Sequence, residues 1–155
     1  MSTIRKIIIS IIILLVIIIG LVVFIPFFSD PDLEPPIPTV TVGHTEIPTT
    51  QGSYCWDEFL SAQCVDKAYT GPLDMAKEHK PTLVSPNEEI NIIFEKEPIL
   101  GTLEVEQWID KDNVEQVEIK NNTMVVPAEK GIYVYHVFAN WEQGNVGYTF
   151  SIEVK

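Results

Sequence analysis

GIYVYHVFANWEQGNVGYTFSIEV, residues 131–154, decides how the rest of the chain is read. In its second half Tyr148, Phe150, Ile152 and Val154 alternate with Gly147, Thr149, Ser151 and Glu153. Strict alternation is the mark of an antiparallel strand with one face on a core and the other on water. The first half is apolar on both faces: Ile132, Val134, His136 and Phe138 oppose Tyr133, Tyr135, Val137, Ala139 and Trp141. That pattern predicts a central strand, its outer side covered by a loop or by the N-terminal part of the domain. Gly144-Asn145 supplies a turn signal between the halves, so residues 132–142 and 146–154 read as a hairpin.

Working outward, the same period recurs. In EEINIIFE, Ile90, Ile92 and Phe94 share one face, with Glu89, Asn91 and Glu95 on the other. LEVEQWI groups Leu103, Val105 and Ile109, and Val117, Ile119, Met124 and Val126 continue the pattern. TVTVGHTEI and GSYCW supply one or two further strands upstream. Six or seven short strands separated by turns fit a mainly β, two-sheet sandwich. The stretch from Asp57 to Lys80 is the least regular, with a short helix expected near LDMAKEH.

At the other end of the chain, residues 7–28 run for 22 residues without a charge. As a helix this stretch spans about 33 Å, enough for a hydrocarbon core of ~30 Å. Lipid offers no partner for unpaired backbone groups, so a helix is the conformation that can cross. A cleaved signal peptide would carry a shorter apolar run, about 7–15 residues, ending in a small-x-small site. This run closes on Pro26, Phe27 and Phe28, which favours a retained anchor; there is no lipobox cysteine. Arg5 and Lys6 precede the span and SDPDLE follows it, so residues 1–6 are expected in the cytoplasm and the C-terminal portion outside. Residues 29–39, with Pro31, Pro35, Pro36 and Pro38, read as an acidic, semi-rigid polyproline spacer that lifts the domain about 30 Å from the membrane. Residues 40–155 form the extracytoplasmic domain.

All 22 acidic residues lie beyond Phe28; ten basic residues less Arg5 and Lys6 leave eight there, a net charge of −14. Nucleic acid and anionic head groups are poor partners for such a surface. An exported chain with two cysteines, Cys55 and Cys64, is expected to oxidise them to a disulfide that fastens WDEFLSAQ into a compact lobe. Closing a loop of about ten residues contributes roughly 2–3 kcal/mol in the chain-entropy model.

QGSYCW is similar to the stretch around the nucleophilic cysteine of papain-like proteases, but Tyr54 stands between Ser53 and Cys55 and the preceding cysteine of that pattern is missing. A thiolate nucleophile also needs a histidine and a third, orienting group. His136 and Asn140 lie four residues apart, about 13 Å along a strand. Cys55 therefore reads as a structural cross-link, and no catalytic residue is assigned.

The large amphipathic aromatics Trp56, Trp108, Tyr133, Tyr135 and Trp141 are candidates for a binding surface, able to stack on sugar rings of a wall glycan; their competing role is core. Trp108 is the first choice for an exposed contact, because it shares a face with Glu104, Glu106 and Asp110. DKDNVE, residues 110–115, lacks the glycine and distal glutamate of an EF-hand, so it reads as a solvated turn rather than a calcium site. His44, His79 and His136 are dispersed, with His136 expected in the core, and no metal or other cofactor is expected. Glu104 and Glu106 read as ordinary surface acids. No phosphate loop, dinucleotide fingerprint, G-x-S-x-G or H-E-x-x-H motif is present.

The ending G-I-Y-V-Y-H-V-F-A-N-W followed by Y-T-F-S-I-E-V resembles the closing strands of bacterial immunoglobulin-like domains. Val42 to Trp56, Cys64 to Asp66 and Val84 to Phe94 together resemble membrane-anchored extracytoplasmic proteins of Bacillus-like Gram-positive bacteria, a family to which no activity is attached. The resemblance implies an envelope location and a Cys55–Cys64 pair. The expected function is a non-catalytic, membrane-anchored module that contacts another envelope protein or the cell wall. The alternative is a sensory or accessory ectodomain that binds a small molecule or cation.

Overall fold

In the computed structural model, residues 3–28, 34–58 and 61–155 are described. The chain divides into two units, Met1–Asp32 and Leu33–Lys155. The first contains helix α1, Thr3–Phe28. Its window Ile4–Val22 has a mean hydropathy of 2.8 and no buried residue, so the helix is long and apolar enough to cross a membrane. It is apolar around its whole circumference and offers no polar stripe to water.

The second unit is a sandwich of two sheets. Strands β1 (Thr39–Val42), β2 (Thr45–Ile47), β6 (Glu89–Ile93) and β9 (Thr123–Val125) form one sheet in the order β2-β1-β6-β9. The other sheet runs β4 (Ser61–Val65), β3 (Thr50–Glu58), β11 (Gly144–Val154), β10 (Gly131–Trp141), β7 (Glu104–Trp108), β8 (Val114–Val117). Strand β5 (Thr82–Val84) adds to the far end of β11 in parallel. All other pairings are antiparallel. The mainly β sandwich expected from the alternation is therefore present, with more strands than the six or seven counted from periodicity.

Between the sheets lies one core. Val40, Ile47, Ile90, Ile92 and Met124 from the smaller sheet meet Val105, Tyr135, Val137, Phe150 and Ile152 from the larger. Phe94 bridges the layers, with its ring centroid 5.1 Å from that of Trp141 and 6.0 Å from that of Tyr148. The Phe94–Trp141 pair is edge-on, an arrangement that stabilises beyond simple area burial by about 0.5–1.5 kcal/mol.

The closing hairpin pairs Gly131 with Val154 through to Trp141 with Gly144. The turn lies at Glu142-Gln143 rather than at Gly144-Asn145. Gly144 instead begins β11 opposite Trp56, and a Cβ there would overlap the Cys55 carbonyl. The glycine marks a close approach of backbones, not the turn itself.

Four other expectations change. Thr149 and Ser151, placed on a watery face by alternation, are buried. A short helix, α2 (Pro72–Met75), and the 3₁₀ turn Ala76–Glu78 cover that face, with the Thr149 hydroxyl 3.6 Å from Met75 Sδ. Small hydroxyl side chains on β11 leave room for Met75. Ile109 does not join Leu103 and Val105 in the core; it is exposed at the end of β7, where the chain turns through residues 109–113. The cysteine segment is no lobe but a hairpin, β3 with β4, in which Cys55 faces Cys64. And the C-terminal part of the anticipated spacer is packed: Pro35 and Pro38 are buried, and the Tyr148 hydroxyl donates to the Pro36 carbonyl at 2.9 Å. Residues from Pro35 onward therefore belong to the sandwich and extend no spacer.

Candidate functional site

The most chemically varied patch lies on the outer face of the larger sheet, away from the inter-sheet core. Register alone assembles it. The β7–β10 ladder sets Glu106 opposite His136, the β7–β8 ladder sets Glu106 opposite Gln116, and the β10–β11 ladder sets His136 opposite Thr149. Trp108 follows Glu106 by two residues and so rises from the same face.

The Glu106 carboxylate is the hub. Its Oε1 accepts a hydrogen bond from Gln116 Nε2 at 2.9 Å, and its Oε2 accepts one from the Trp108 indole N–H at 3.2 Å. His136 Nδ1 stands 4.0 Å from the same Oε2. The imidazole lies across the backbone of Gly147, where a Cβ would overlap Nε2. Burial lowers the His136 pKa, and the nearby Glu106 charge works against that shift. A half-buried imidazole in a partly apolar setting favours its neutral form.

The arrangement is a cluster of a carboxylate, a side-chain amide, an indole and an imidazole on one sheet face. Both carboxylate oxygens of Glu106 are engaged by donors, which leaves the group a structural acceptor. Glu106 and His136 give two donors, whereas a zinc site takes four ligands. Among the described residues no group of three or more His, Cys, Asp or Glu could hold a metal ion.

The aromatic candidates separate into two classes. Trp56, Tyr135 and Trp141 are buried and form no exposed row. Trp56 and Trp141 have ring centroids 5.7 Å apart, and Trp141 donates its indole N–H to the Lys96 carbonyl at 2.9 Å. Desolvation raises the Tyr135 pKa strongly, as suits a phenol held in a core. Tyr133 and Trp108 are half-buried, and the Tyr133 hydroxyl donates to the Glu129 carbonyl at 2.9 Å. Trp108 thus keeps part of its ring surface available, although its N–H is occupied.

Cys55 and Cys64 are joined across β3 and β4, with Cα atoms 4.0 Å apart. Neither sulfur is a free thiol, so no nucleophile remains at Cys55. In the 110–113 turn, Asp110 Oδ1 accepts from the backbone N–H groups of Asp112 and Asn113, and Oδ2 accepts from Asn113 Nδ2. These hydrogen bonds lower the Asp110 pKa and commit the carboxylate to the turn rather than to a cation. His44 and His79 are exposed and distant in sequence from His136. Among the described residues are open hollows of about 360 Å³ beside Glu89, Glu118, Lys120 and Thr123, and of about 230 Å³ beside Lys96, Pro98, Ile99 and Trp141.

Glu106 was legible in the sequence only as an ordinary surface acid, and Gln116 carried no signal. His136 was expected in the core, but it sits half-buried on the outer face of the larger sheet, because the alternation that turns Tyr135 and Val137 inward turns it outward. Alternation places each of these residues on a face, but only the strand order brings the three together. No family model, curated protein or solved structure matches this chain.

Proposed function

We propose that this protein is a non-catalytic module of the cell envelope, held by α1 as a single span with its N-terminus in the cytoplasm, whose disulfide-stapled sandwich contacts another envelope protein or a wall component. The observation that carries this reading is the cross-strand disulfide Cys55–Cys64 in an acidic domain that follows a 19-residue apolar helical window. Disulfides persist in oxidising compartments, and an apolar rod of that length suits a bilayer. The half-exposed Trp108, framed by Glu104, Glu106 and Gln116, is the part of the sandwich best suited to a polar, ring-bearing partner. The resemblance of Val42–Trp56 and Val84–Phe94 to membrane-anchored extracytoplasmic proteins supports the same location.

Topology and partner are tested separately. With an epitope at the C-terminus, protease added to intact cells should remove the epitope while the membrane stays sealed; an epitope that survives until lysis refutes the orientation. Cross-linking in intact cells, followed by denaturing purification, should recover a specific protein or wall fragment whose yield drops at least several-fold in Trp108→Ala. Equal recovery from the variant removes Trp108 from the contact.

A further inference from the structure

Leu100 is 99% exposed, the highest value among the exposed large apolar residues, and Ile99 beside it is exposed as well. They occupy the tip of the β6–β7 connection, in the sequence Pro98-Ile99-Leu100-Gly101. A loop tip that water can reach from all sides is ordinarily polar. This tip is also held firmly. The Ile99 N–H donates to the Asn140 carbonyl at 2.8 Å and the Thr102 N–H to the Ile99 carbonyl at 3.0 Å. The Thr102 hydroxyl donates to the Ile99 carbonyl at 2.7 Å and accepts from the Asn140 N–H at 3.2 Å. Gly101, at φ +80, closes the turn in a conformation that favours glycine. Four hydrogen bonds thus fix an apolar knob outward where collapse onto the domain would hide it.

Its position along the strands identifies what it meets. Thr39, the first residue of β1, pairs with Ile93, the last residue of β6, so β1 begins at the end of the sandwich from which the β6–β7 connection projects. The β10–β11 turn lies at the same end, since Glu104 pairs with Phe138 shortly before Trp141. From Phe28, where α1 stops, to Pro35, already buried in the domain, are seven residues, which reach at most about 25 Å. That is a short covalent connection between the apolar helix and the domain.

We propose that the Pro98–Gly101 tip inserts into the outer leaflet of the bilayer that holds α1, giving the domain a second, shallow point of attachment and a defined orientation. The inference rests on the membrane-anchored reading above. Leu100 and Ile99 supply the apolar contact, and Thr102 with Asn140 preserves the shape of the tip during insertion. The flanking Glu95 and Glu97 oppose anionic head groups, with Lys96 between them, so a zwitterionic surface is the better host. Orientation follows from two attachments: the large sheet then presents its outer face, with Trp108, sideways along the membrane rather than at random.

The test uses the full chain reconstituted into phosphatidylcholine vesicles, with Cys55 and Cys64 left oxidised and an environment-sensitive fluorophore on Leu100→Cys. Ile132→Cys, 65% exposed at the opposite end of the sandwich, carries the same label as control. The expected result is blue-shifted emission at position 100, quenched by lipids brominated near the interface, with neither effect at position 132. Adding phosphatidylglycerol should reduce the shift, and Leu100→Asp should abolish it for a label placed at Ile99→Cys. No shift at position 100 in a chain that resists carbonate extraction overturns the insertion while leaving the anchor intact. Equal shifts at both positions indicate non-specific adsorption, and a shift that persists in detergent without vesicles indicates a protein contact; either overturns it. A chain extracted by carbonate sinks the anchor, and the inference with it.

Discussion

Replacing Gly147 by alanine should destabilise the sandwich through a single collision. The His136 ring lies across this glycine, and an added Cβ would overlap Nε2 and stand 2.8 Å from Cε1. Ring atoms cannot yield as the end of a flexible chain does. The imidazole must swing out, lose its place beside Glu106, and expose the strip of β11 it now covers. Overpacking of this kind costs about 1–3 kcal/mol. At roughly 4 °C per kcal/mol for a domain of this size, a 2 kcal/mol loss lowers the melting temperature by about 8 °C. The assay is chemical and thermal unfolding in mild detergent, followed by the fluorescence of the buried pair Trp56 and Trp141. A double-mutant cycle isolates the cause. In His136→Ala the obstacle is gone, so Gly147→Ala should be neutral or stabilise by about 0.4–1 kcal/mol, since alanine restricts the unfolded chain more than glycine does. The coupling energy should then be about 2–3 kcal/mol, within the range known for residues in contact. An equal cost for Gly147→Ala in both backgrounds, or no cost in the parent, refutes the reasoning.

Three further outcomes are expected. Reducing the disulfide, or replacing Cys55 and Cys64 together by serine, should cost about 2.5–3 kcal/mol on the loop-entropy estimate, and adding reductant should shift the midpoint of the parent but not of the double variant. Because burial lowers the folded-state pKa of His136 below its ordinary 6.5, the unfolded chain binds the extra proton first as pH falls. Stability should therefore decline as pH drops below about 6.5 and level off below the folded-state pKa, and His136→Gln should flatten that decline in pH-dependent melts. Tyr148→Phe removes the hydroxyl that donates to Pro36 and whose pKa is pushed up to about 12 by burial. It should cost about 1 kcal/mol and raise amide exchange at Ile37 and Glu34 more than in the strands, with uniform exchange counting against a local role for the bond.

Much of the architecture was legible because alternation is a local property. Ile90, Ile92 and Phe94 point inward, as do Tyr148, Phe150, Ile152 and Val154, since successive side chains of any strand take opposite faces whatever the strand pairs with. The apolar helix is local in the same sense, because its length and lack of charge are properties of consecutive residues. The disulfide was legible from there being two cysteines in a chain read as exported. The candidate site was less so. Glu106 and His136 are 30 positions apart, and nothing in either segment says that β7 pairs with β10.

By itself, then, the sequence determined the longer strands of the sandwich and which of their faces is apolar, that one N-terminal helix is suited to lipid, and that two sulfurs are available to join, but not short strands such as β4 and β5. The tertiary structure decided what covers each face. Thr149 and Ser151 look like solvent-facing residues until α2, some 75 positions upstream, is laid over them with Met75. Trp56, Tyr135 and Trp141 suit either a binding surface or a core until the second sheet closes over them, and Pro35 and Pro38 look like a spacer until Tyr148 holds Pro36. Periodicity reports direction relative to a residue's own backbone, whereas burial depends on partners brought from distant parts of the chain. Those partners are chosen by register, packing and loop closure, which no single segment encodes.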